Sequence, residues 1–261
     1  KKNESAMFFD LMELPSENNV GEEIDKIEEI EARNIRYRYP LTDRYVLDGI
    51  DFTIEKGEKV ALIGENGSGK TTFVKLLTGV IQPSDGELKI NNIDIDKINP
   101  QSRYDILSTV SQDPARYTTF TVGDNVFIGD TKRERDDVDI DRAISFAGID
   151  DVDSTTLLGK DIGGTDISGG QWQKLAIARG YYRDRDFIIL DEPTGNLDPL
   201  AETEIFKKYL EMSQDKTVII VTHRISIASL ADRIIVFSDG KILEDGTHQN
   251  LIENDGEYSR L

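Results

Sequence analysis

The chain has 261 residues and 38% hydrophobic content, so it can bury a core as one large domain or as a domain with a subdomain. Its 31 Lys and Arg residues are outnumbered by 50 Asp and Glu residues, and the formal charge of −19 repels a phosphate backbone, so we expect no nucleic-acid partner. There is no cysteine, which excludes disulfides and thiolate metal sites, and no apolar run approaches the roughly 20 residues of a membrane helix.

The first 29 residues differ in composition from the rest of the chain. A short apolar patch between Met7 and Leu14 is followed by Pro15 and by an acidic stretch, a composition that predicts a tether. The sequence begins with Lys1 and carries no signal peptide, so we expect the natural protein to extend beyond this amino terminus.

From Ile30 onward, apolar residues alternate with polar ones and predict several strands, at 30–39, 46–54 and 60–63. A glycine-rich turn follows the last of these strands. Helical spacing then runs from Lys70 to Leu77, and Gly79 ends the helix. A strand, a loop and a helix in this order are what a phosphate-binding loop requires.

The pattern of apolar residues changes in the second half of the chain. Beyond Gln112 the strand signals fade, and helical spacing at 138–147 and 168–182 predicts an inserted helical segment. Apolar runs of strand length then return, at 187–190, 218–221 and 234–237. Strands that alternate with helices favour an α/β fold with a mostly parallel sheet covered on both faces.

A phosphate-loop pattern lies between the strand that ends at Ile63 and the helix that begins at Lys70. Its glycines let backbone N–H groups point at phosphates, at a helix N-terminus whose dipole favours negative charge. Lys70 adds a positive charge, and the Thr71 hydroxyl is a Mg²⁺ ligand. A glycine-rich turn that merely contains a lysine is the alternative, and the flanking strand and helix argue against it. The candidate ATP-binding residues here are Gly64, Glu65, Asn66, Gly67, Ser68, Gly69, Lys70, Thr71 and Thr72.

Two carboxylates follow the apolar run at 187–190. At the strand edge beside the phosphate loop, Asp191 can hold Mg²⁺ directly or through water, and Glu192 can polarise an attacking water as a general base. Acidic residues also commonly cap the helix that follows a strand. The phosphate loop upstream is what favours the catalytic interpretation.

The helical pattern at 168–182 begins with a serine and two glycines. A serine N-cap and exposed backbone N–H groups make such a helix start a second anion site, whereas an isolated Ser-Gly-Gly would indicate an ordinary capped helix. One ATP does not need two such sites in one chain. The residues of this second candidate site are Ser168, Gly169, Gly170 and Gln171.

Together these motifs resemble the nucleotide-binding domain of ABC transporters in their order and approximate spacing. The resemblance covers residues 30–261 and is most specific at the Ser-Gly-Gly-Gln signature. Asn196 replaces the commoner alanine of the family's D-loop, and Ile167 replaces the commoner leucine before the signature. Neither departure removes a catalytic group.

The resemblance implies a fold and a division of the chain. The fold is that of a P-loop NTPase: a core with a mostly parallel sheet, an antiparallel β subdomain at its N-terminal side and an inserted α-helical subdomain. The core would comprise about 30–112 and 183–261, and the helical subdomain about 113–182. Residues 1–29 would be a linker from a membrane domain on the same chain.

The resemblance also implies roles for individual residues. Gln112 would sense Mg²⁺ and the membrane domain, Asp198 would belong to the D-loop, and His223 would contact the γ-phosphate. A lone histidine at a strand end is more often structural, but its position in the motif favours the functional role here. The implied catalytic residues are Lys70, Gln112, Glu192 and His223, and the implied Mg²⁺ ligands are Thr71, Gln112 and Asp191.

Tyr39 matches the family's aromatic residue that stacks on the adenine ring. A ring face provides stacking that is indifferent to base identity. Tyr37, on the same side of the strand, is the alternative, and Tyr45 is a weaker one.

The resemblance further implies assembly and transport. The signature of one domain closes over the ATP on the phosphate loop of another, so a second copy is expected in a head-to-tail dimer that holds two ATP. The residues between Leu158 and Thr165, Trp172 and the C-terminal stretch 246–258 look like exporters, whose ATPase domain works at the cytoplasmic face of the cell membrane. Within exporters, the stretches 113–125 and 163–174 are similar to bacterial peptide and multidrug half-transporters. Soluble ABC ATPases of DNA repair or translation would need a long coiled coil or two such domains, and both are missing from this sequence. A regulatory domain that only binds ATP would usually have lost Glu192 or His223, and both are present.

Overall fold

The computed structural model describes residues 20–192, 199–213 and 215–261. Within them, four strands form an antiparallel sheet in the order β2-β1-β4-β5. These strands are β1 Glu29–Tyr37, β2 Leu47–Glu55, β4 Asp85–Ile90 and β5 Ile93–Asp94. Alternate residues of β1 and β2 are buried, which is the pattern of a sheet with one face on a core.

A second sheet of six strands has the order β10-β9-β3-β8-β7-β6. Its strands are β3 Lys59–Ile63, β6 Leu107–Val110, β7 Phe187–Asp191, β8 Thr217–Thr222, β9 Arg233–Ser238 and β10 Lys241–Gly246. The pairs from β9 to β6 are parallel, and β10 joins the edge antiparallel to β9. Strands β7 and β8 are buried at every residue, as expected for strands covered on both faces.

Helices connect and cover these sheets. The α-helices of the described chain are α1 Lys70–Leu77, α2 Pro100–Asp105, α3 Val122–Phe127, α4 Asp137–Phe146, α5 Gly169–Arg183, α6 Pro199–Met212, α7 Ile225–Ala228 and α8 His248–Glu253. Helices α3, α4 and α5 fall between β6 and β7 and form the inserted helical part. No helix among the described residues is long and apolar enough to cross a membrane.

The hydrophobic core has two large parts that meet at the parallel sheet. One lies between the two sheets around α1, where Phe73 contacts the rings of Phe52 and Phe237. The other joins the helical part to the opposite face of the parallel sheet and includes the buried Trp172 of α5. The sheet therefore holds β7 between these two cores and β3 between the first core and a smaller cluster that includes Ala228 and Leu251, so the loops that follow these strands start from fixed positions.

The segment before β1 is packed against the domain from residue 21 onward, whereas a tether was expected up to residue 29. Ile24 and Ile27 are buried in the core next to the antiparallel sheet. The backbone of Glu22 exchanges hydrogen bonds with Lys97 and Asn99 at 2.7 and 2.9 Å. The prediction of a tether rested on the acidic composition of this segment. The segment also contains two apolar residues three positions apart, and their burial fixes it on the domain. The expected linker at residues 1–19 lies outside the described residues.

Candidate nucleotide-binding site

The phosphate loop joins β3 to α1 and lies tightly against its neighbours at two glycines. Gly64 has φ of 152°, and a Cβ there would stand 2.1 Å from the carbonyl oxygen of Phe237. Gly69, with φ of 111°, would place a Cβ 2.7 Å from a Leu47 methyl. Only glycine fits both positions, because the conformation and the space each exclude a side chain. The backbone of the loop is thereby fixed without any ligand.

Lys70 turns its side chain back into this loop. Its Nζ donates to the carbonyl oxygens of Gly64 and Glu65 at 2.8 and 2.9 Å, and the Ser68 hydroxyl is 3.5 Å away. Burial lowers the pKa of Lys70, while the nearby Glu192 and Asp191 raise it. The ammonium group is thus held inside the loop, where a phosphate would replace neutral carbonyls with a charged partner.

Asp191 ends β7 in a buried position. Its pKa is raised to about 6: burial is the largest cause, the neighbouring charge of Glu192 acts in the same direction, and Lys70 opposes both effects. Its Oδ1 has no hydrogen-bond partner among the described residues. A buried carboxylate oxygen without a partner is a ligand that fits Mg²⁺, which binds one or two protein oxygens and completes its shell with water and phosphate.

Glu192 lies between Gln112 and His223, and these three residues are far apart in the sequence. Its backbone is left-handed, with φ of 42°, and its N–H donates to the Val221 carbonyl at 3.0 Å. Its Oε2 accepts from Gln112 Nε2 at 3.3 Å, and its Oε1 lies 3.4 Å from His223 Nδ1. The side chain of Glu192 is 15% exposed and that of His223 is 53% exposed. A carboxylate between an amide and an imidazole, at the mouth of the phosphate loop, is placed to orient a water molecule.

Tyr39 lies at the edge of the same region. The residue is 37% exposed, and its hydroxyl is 3.3 Å from the Thr72 hydroxyl on α1. Tyr37 packs edge-on against it, with ring centres 5.1 Å apart, but Tyr37 is buried. Tyr45 lies about 6 Å from the guanidinium groups of Arg36 and Arg38. Of the two rings on β1 and the loop after it, Tyr39 has the accessible face, and its stacking on a base stays a prediction.

A cleft of about 340 Å³ opens beside these groups. Its lining residues are Val46, Asn66, Gly67, Gly69, Lys70, Thr71, Thr72, Gln112 and Glu192. The sequence predicted all of these except Val46, which precedes β2 and carries no motif. Gly64 and Ser68 lie behind the cleft wall, where they support Lys70.

The comparisons with known proteins agree with this geometry. The ABC transporter family matches residues 47–195, more than half of the chain. The chain belongs to this family, as its ATPase domain. It is similar to a solved bacterial Atm1-family ABC exporter with ATP bound, with a TM-score of 0.84 and 27% identity over 98% of this chain and 46% of that one.

Curated relatives include whole transporters. The subtilin transport ATP-binding protein SpaT of Bacillus subtilis is 36% identical over 97% of this chain and 43% of its own length. The ATP-dependent lipid A-core flippase of Ralstonia nicotianae is 36% identical over 98% and 44%. The multidrug transporter atrD of Emericella nidulans is 36% identical over 100% and 20%. The chain thus spans less than half the length of these relatives.

The signature of this ABC domain forms the start of α5. Ser168 is the N-cap: its hydroxyl accepts from Gln171 N at 3.2 Å, and Gln171 Oε1 accepts from Ser168 N at 2.8 Å. Gln171 Nε2 also reaches Asp151 at 3.4 Å. Ser168 is exposed, and in the described chain no signature residue lines the phosphate-loop cleft. The expected D-loop residues Asn196 to Asp198 lie outside the described residues.

Proposed function

We propose that this chain binds Mg-ATP and hydrolyses it as a head-to-tail dimer, and that hydrolysis powers export of a substrate across the cell membrane. The observation that carries the proposal is the convergence of Gln112, Glu192 and His223 beside the phosphate loop, although they come from three separate parts of the chain. A phosphate-binding loop with a carboxylate base at its mouth is suited to phosphoryl transfer to water.

ATP would lie along the cleft with its phosphates in the loop of Gly64–Thr71 and its base against Tyr39. Mg²⁺ would be held by Thr71, Gln112 and Asp191 and would neutralise charge on the phosphate oxygens. The unpartnered Oδ1 of Asp191 supports this assignment.

For hydrolysis, Glu192 would accept a proton from the attacking water, and His223 would donate a hydrogen bond to the terminal phosphate. Gln112 holds the other oxygen of Glu192 and so limits its rotation. Lys70 would leave the carbonyls of Gly64 and Glu65 for the phosphate oxygens, where its charge stabilises the transition state.

The separation of the signature from the cleft of its own chain supports the proposed dimer. Copies with a charge of −19 repel each other, and ATP bound between the phosphate loop of one copy and Ser168–Gln171 of the other would bridge them. Hydrolysis removes the bridge, so we expect the dimer to be transient.

The transport part of the proposal rests on the relatives. By name they include a subtilin transport ATP-binding protein, a lipid A-core flippase and an ABC exporter, and each is more than twice as long as the region it shares with this chain. We infer that this domain works at the cytoplasmic face of a membrane, joined to a transmembrane domain on the same chain. The stretches 113–125 and 163–174 resemble bacterial peptide and multidrug half-transporters, and the similarity to subtilin and nisin transport proteins supports a peptide substrate.

Replacement of Glu192 by Gln tests hydrolysis and assembly together. The amide keeps the size of the side chain but cannot accept the proton, so we expect ATP binding to persist, kcat to fall by about 100-fold or more, and a dimer to accumulate with ATP. Gel filtration with light scattering measures the dimer, and phosphate release measures kcat.

Ser168→Arg in the Glu192→Gln background is the matched control, because it blocks the second anion site and leaves the phosphate loop intact. This double variant should bind ATP as a monomer. A Glu192→Gln protein that binds ATP but stays monomeric at tens of micromolar would contradict the sandwich in this chain, and unchanged hydrolysis would contradict the role of Glu192.

A further inference from the structure

The loop that carries Gln112 has little to hold it in place. This Gln112 loop, residues 111–121, connects β6 to α3, and most of its residues are exposed. Within the described chain, two hydrogen bonds join residues 112–116 to other elements: Gln112 to Glu192, and Arg179 to the carbonyl oxygen of Ala115. The first belongs to the candidate site, so the second is the hydrogen bond that attaches residues 112–116 to the rest of the domain, whereas the far end of the loop is held through Phe120 and Leu158.

Arg179 belongs to α5, the helix that begins with the signature. Its guanidinium donates to the Ala115 carbonyl at 2.6 Å and to the Asn125 carbonyl at 2.7 Å, and also binds the Asn125 side chain. The Tyr117 ring centre lies 5.0 Å from the guanidinium carbon. Asn125 returns two hydrogen bonds of 3.0 Å, to the carbonyls of Tyr117 and Thr121. One side chain therefore joins both halves of the Gln112 loop to α5.

Burying the charge of Arg179 costs desolvation free energy that a neutral structural contact would not require. Its guanidinium forms no ion pair with any described carboxylate, and burial lowers its pKa to about 10, so it stays charged at neutral pH while bound to neutral acceptors. The guanidinium fork uses three different nitrogens for its three acceptors, and the one nitrogen of a lysine ammonium cannot stand at all three of those positions. The geometry thus requires the fork, in addition to a positive charge.

We propose that Arg179 is a positioning residue for hydrolysis: it fixes the Gln112 loop to the signature helix so that Gln112 stays in reach of Glu192. The inference rests on the proposed function, since it acts through Gln112. Because α5 begins with the signature, the same contact connects Gln112 to the signature, and a shift of α5 would move Gln112 with it.

The test uses Arg179→Lys, Gln112→Ala and their combination in the 261-residue chain. We expect Arg179→Lys to lower kcat about tenfold with KM for ATP changed less than about twofold, because the loop is loosened and the phosphate loop is untouched. In the Gln112→Ala background the same change should have almost no further effect, because residues that act through one another are not additive. Hydrogen exchange of residues 112–117 in the ligand-free chain should become faster in Arg179→Lys.

Arg183→Lys is the matched control. Arg183 lies one helical turn further along α5 and also binds backbone carbonyls, those of Leu107, Gly129 and Tyr104, with the Tyr104 ring 4.2 Å from its guanidinium carbon. In the described chain it forms no hydrogen bond with the Gln112 loop, so hydrogen exchange at 112–117 and the ratio of kcat to KM should remain as in the unmodified chain.

Several results would overturn the inference. Equal effects of Arg179→Lys and Arg183→Lys would show a general packing role, and additivity with Gln112→Ala would show that Arg179 does not act through Gln112. If Gln112→Ala itself left kcat unchanged, the role of Gln112 in the proposed function would be wrong, whereas the hydrogen-exchange result would still report on the attachment. Tyr117→Ala, at an exposed position, loosens the same contact and replaces Arg179→Lys if that variant does not fold.

Discussion

The phosphate loop and the start of α5 are both glycine-rich helix N-termini, and they differ in what they leave unsatisfied. Around the phosphate loop, Lys70 is turned onto neutral carbonyls and Asp191 keeps a buried oxygen without a partner in the described chain. At the start of α5, Ser168 and Gln171 satisfy each other in a capping box and remain at the surface.

This difference teaches how one chain can carry two anion sites for one ligand. The phosphate loop is fixed by close backbone contacts, and its charged groups gain from a ligand at once. The signature is stabilised by its own capping box, and in the described chain its residues line no part of the phosphate-loop cleft. We therefore expect the first site to bind ATP in the monomer and the second to contribute only when another copy supplies the rest.

The largest effect should come from Lys70→Ala, which removes the cation from the phosphate loop. A charge-assisted hydrogen bond contributes about 2–3 kcal/mol, so Mg-ATP affinity should fall roughly 30- to 150-fold in the monomer. Isothermal titration measures it, and Lys75→Ala, one turn further along α1, is the control. The same titration with Ser168→Arg should show nearly normal affinity. If Ser168→Arg weakened monomer binding as much as Lys70→Ala, the two sites would not differ as described.

A smaller effect should come from Asp191→Asn, which tests whether the unpartnered carboxylate beside the phosphate loop is a destabilising charge, unlike the satisfied groups at the start of α5. The folded pKa of Asp191, about 6, lies above its usual 3.8, so its contribution to stability is present below pH 4 and is lost as the pH rises through 6. Asparagine does not ionise. It should therefore stabilise the ligand-free chain by about 1–3 kcal/mol at pH 8 and by less at pH 5.

Thermal unfolding of both proteins at pH 5 and pH 8 checks this expectation. Addition of Mg-ATP should reverse the order, since only the carboxylate gains from the cation. A gain that is equal at the two pH values would show that ionisation of Asp191 is not its cause. Ser168→Ala, at the satisfied second site, should instead destabilise the chain by about 1 kcal/mol through loss of the helix cap, with no such dependence on pH.

The smallest effect should come from the ring at the edge of the cleft. Tyr39→Ala should weaken ATP binding by about 1 kcal/mol, the scale of one aromatic stack, whereas Tyr39→Phe and Tyr39→Trp should bind nearly as well as the unmodified chain. Tyr37→Ala should lower stability, because Tyr37 is buried, and leave affinity close to normal. A loss of affinity from Tyr37→Ala with none from Tyr39→Ala would show that the base stacks on Tyr37 and that the assignment to Tyr39 is wrong.

The sequence by itself determined the parts of the fold and site that depend on near neighbours. The helix predicted over Lys70–Leu77 agrees with α1, and the one predicted at 168–182 is within one residue of α5 at each end. Glycine spacing, an N-cap serine and a strand that ends in carboxylates are local patterns, and the backbone follows from them directly. The family and the mostly parallel α/β fold were also predicted from these motifs and are confirmed.

Only the tertiary structure decided which distant groups meet. Strand β6 is four residues long and β5 two, too short for a periodic signal, and β10 has no buried residue that would mark it as a strand. The approach of Gln112 to Glu192 spans 80 positions and arises because β6 and β7 are parallel neighbours, so that both residues follow strands at the same sheet edge. The burial of Tyr37 beside the exposed Tyr39 and the attachment of the Gln112 loop by Arg179 likewise depend on packing between elements, which no local pattern encodes.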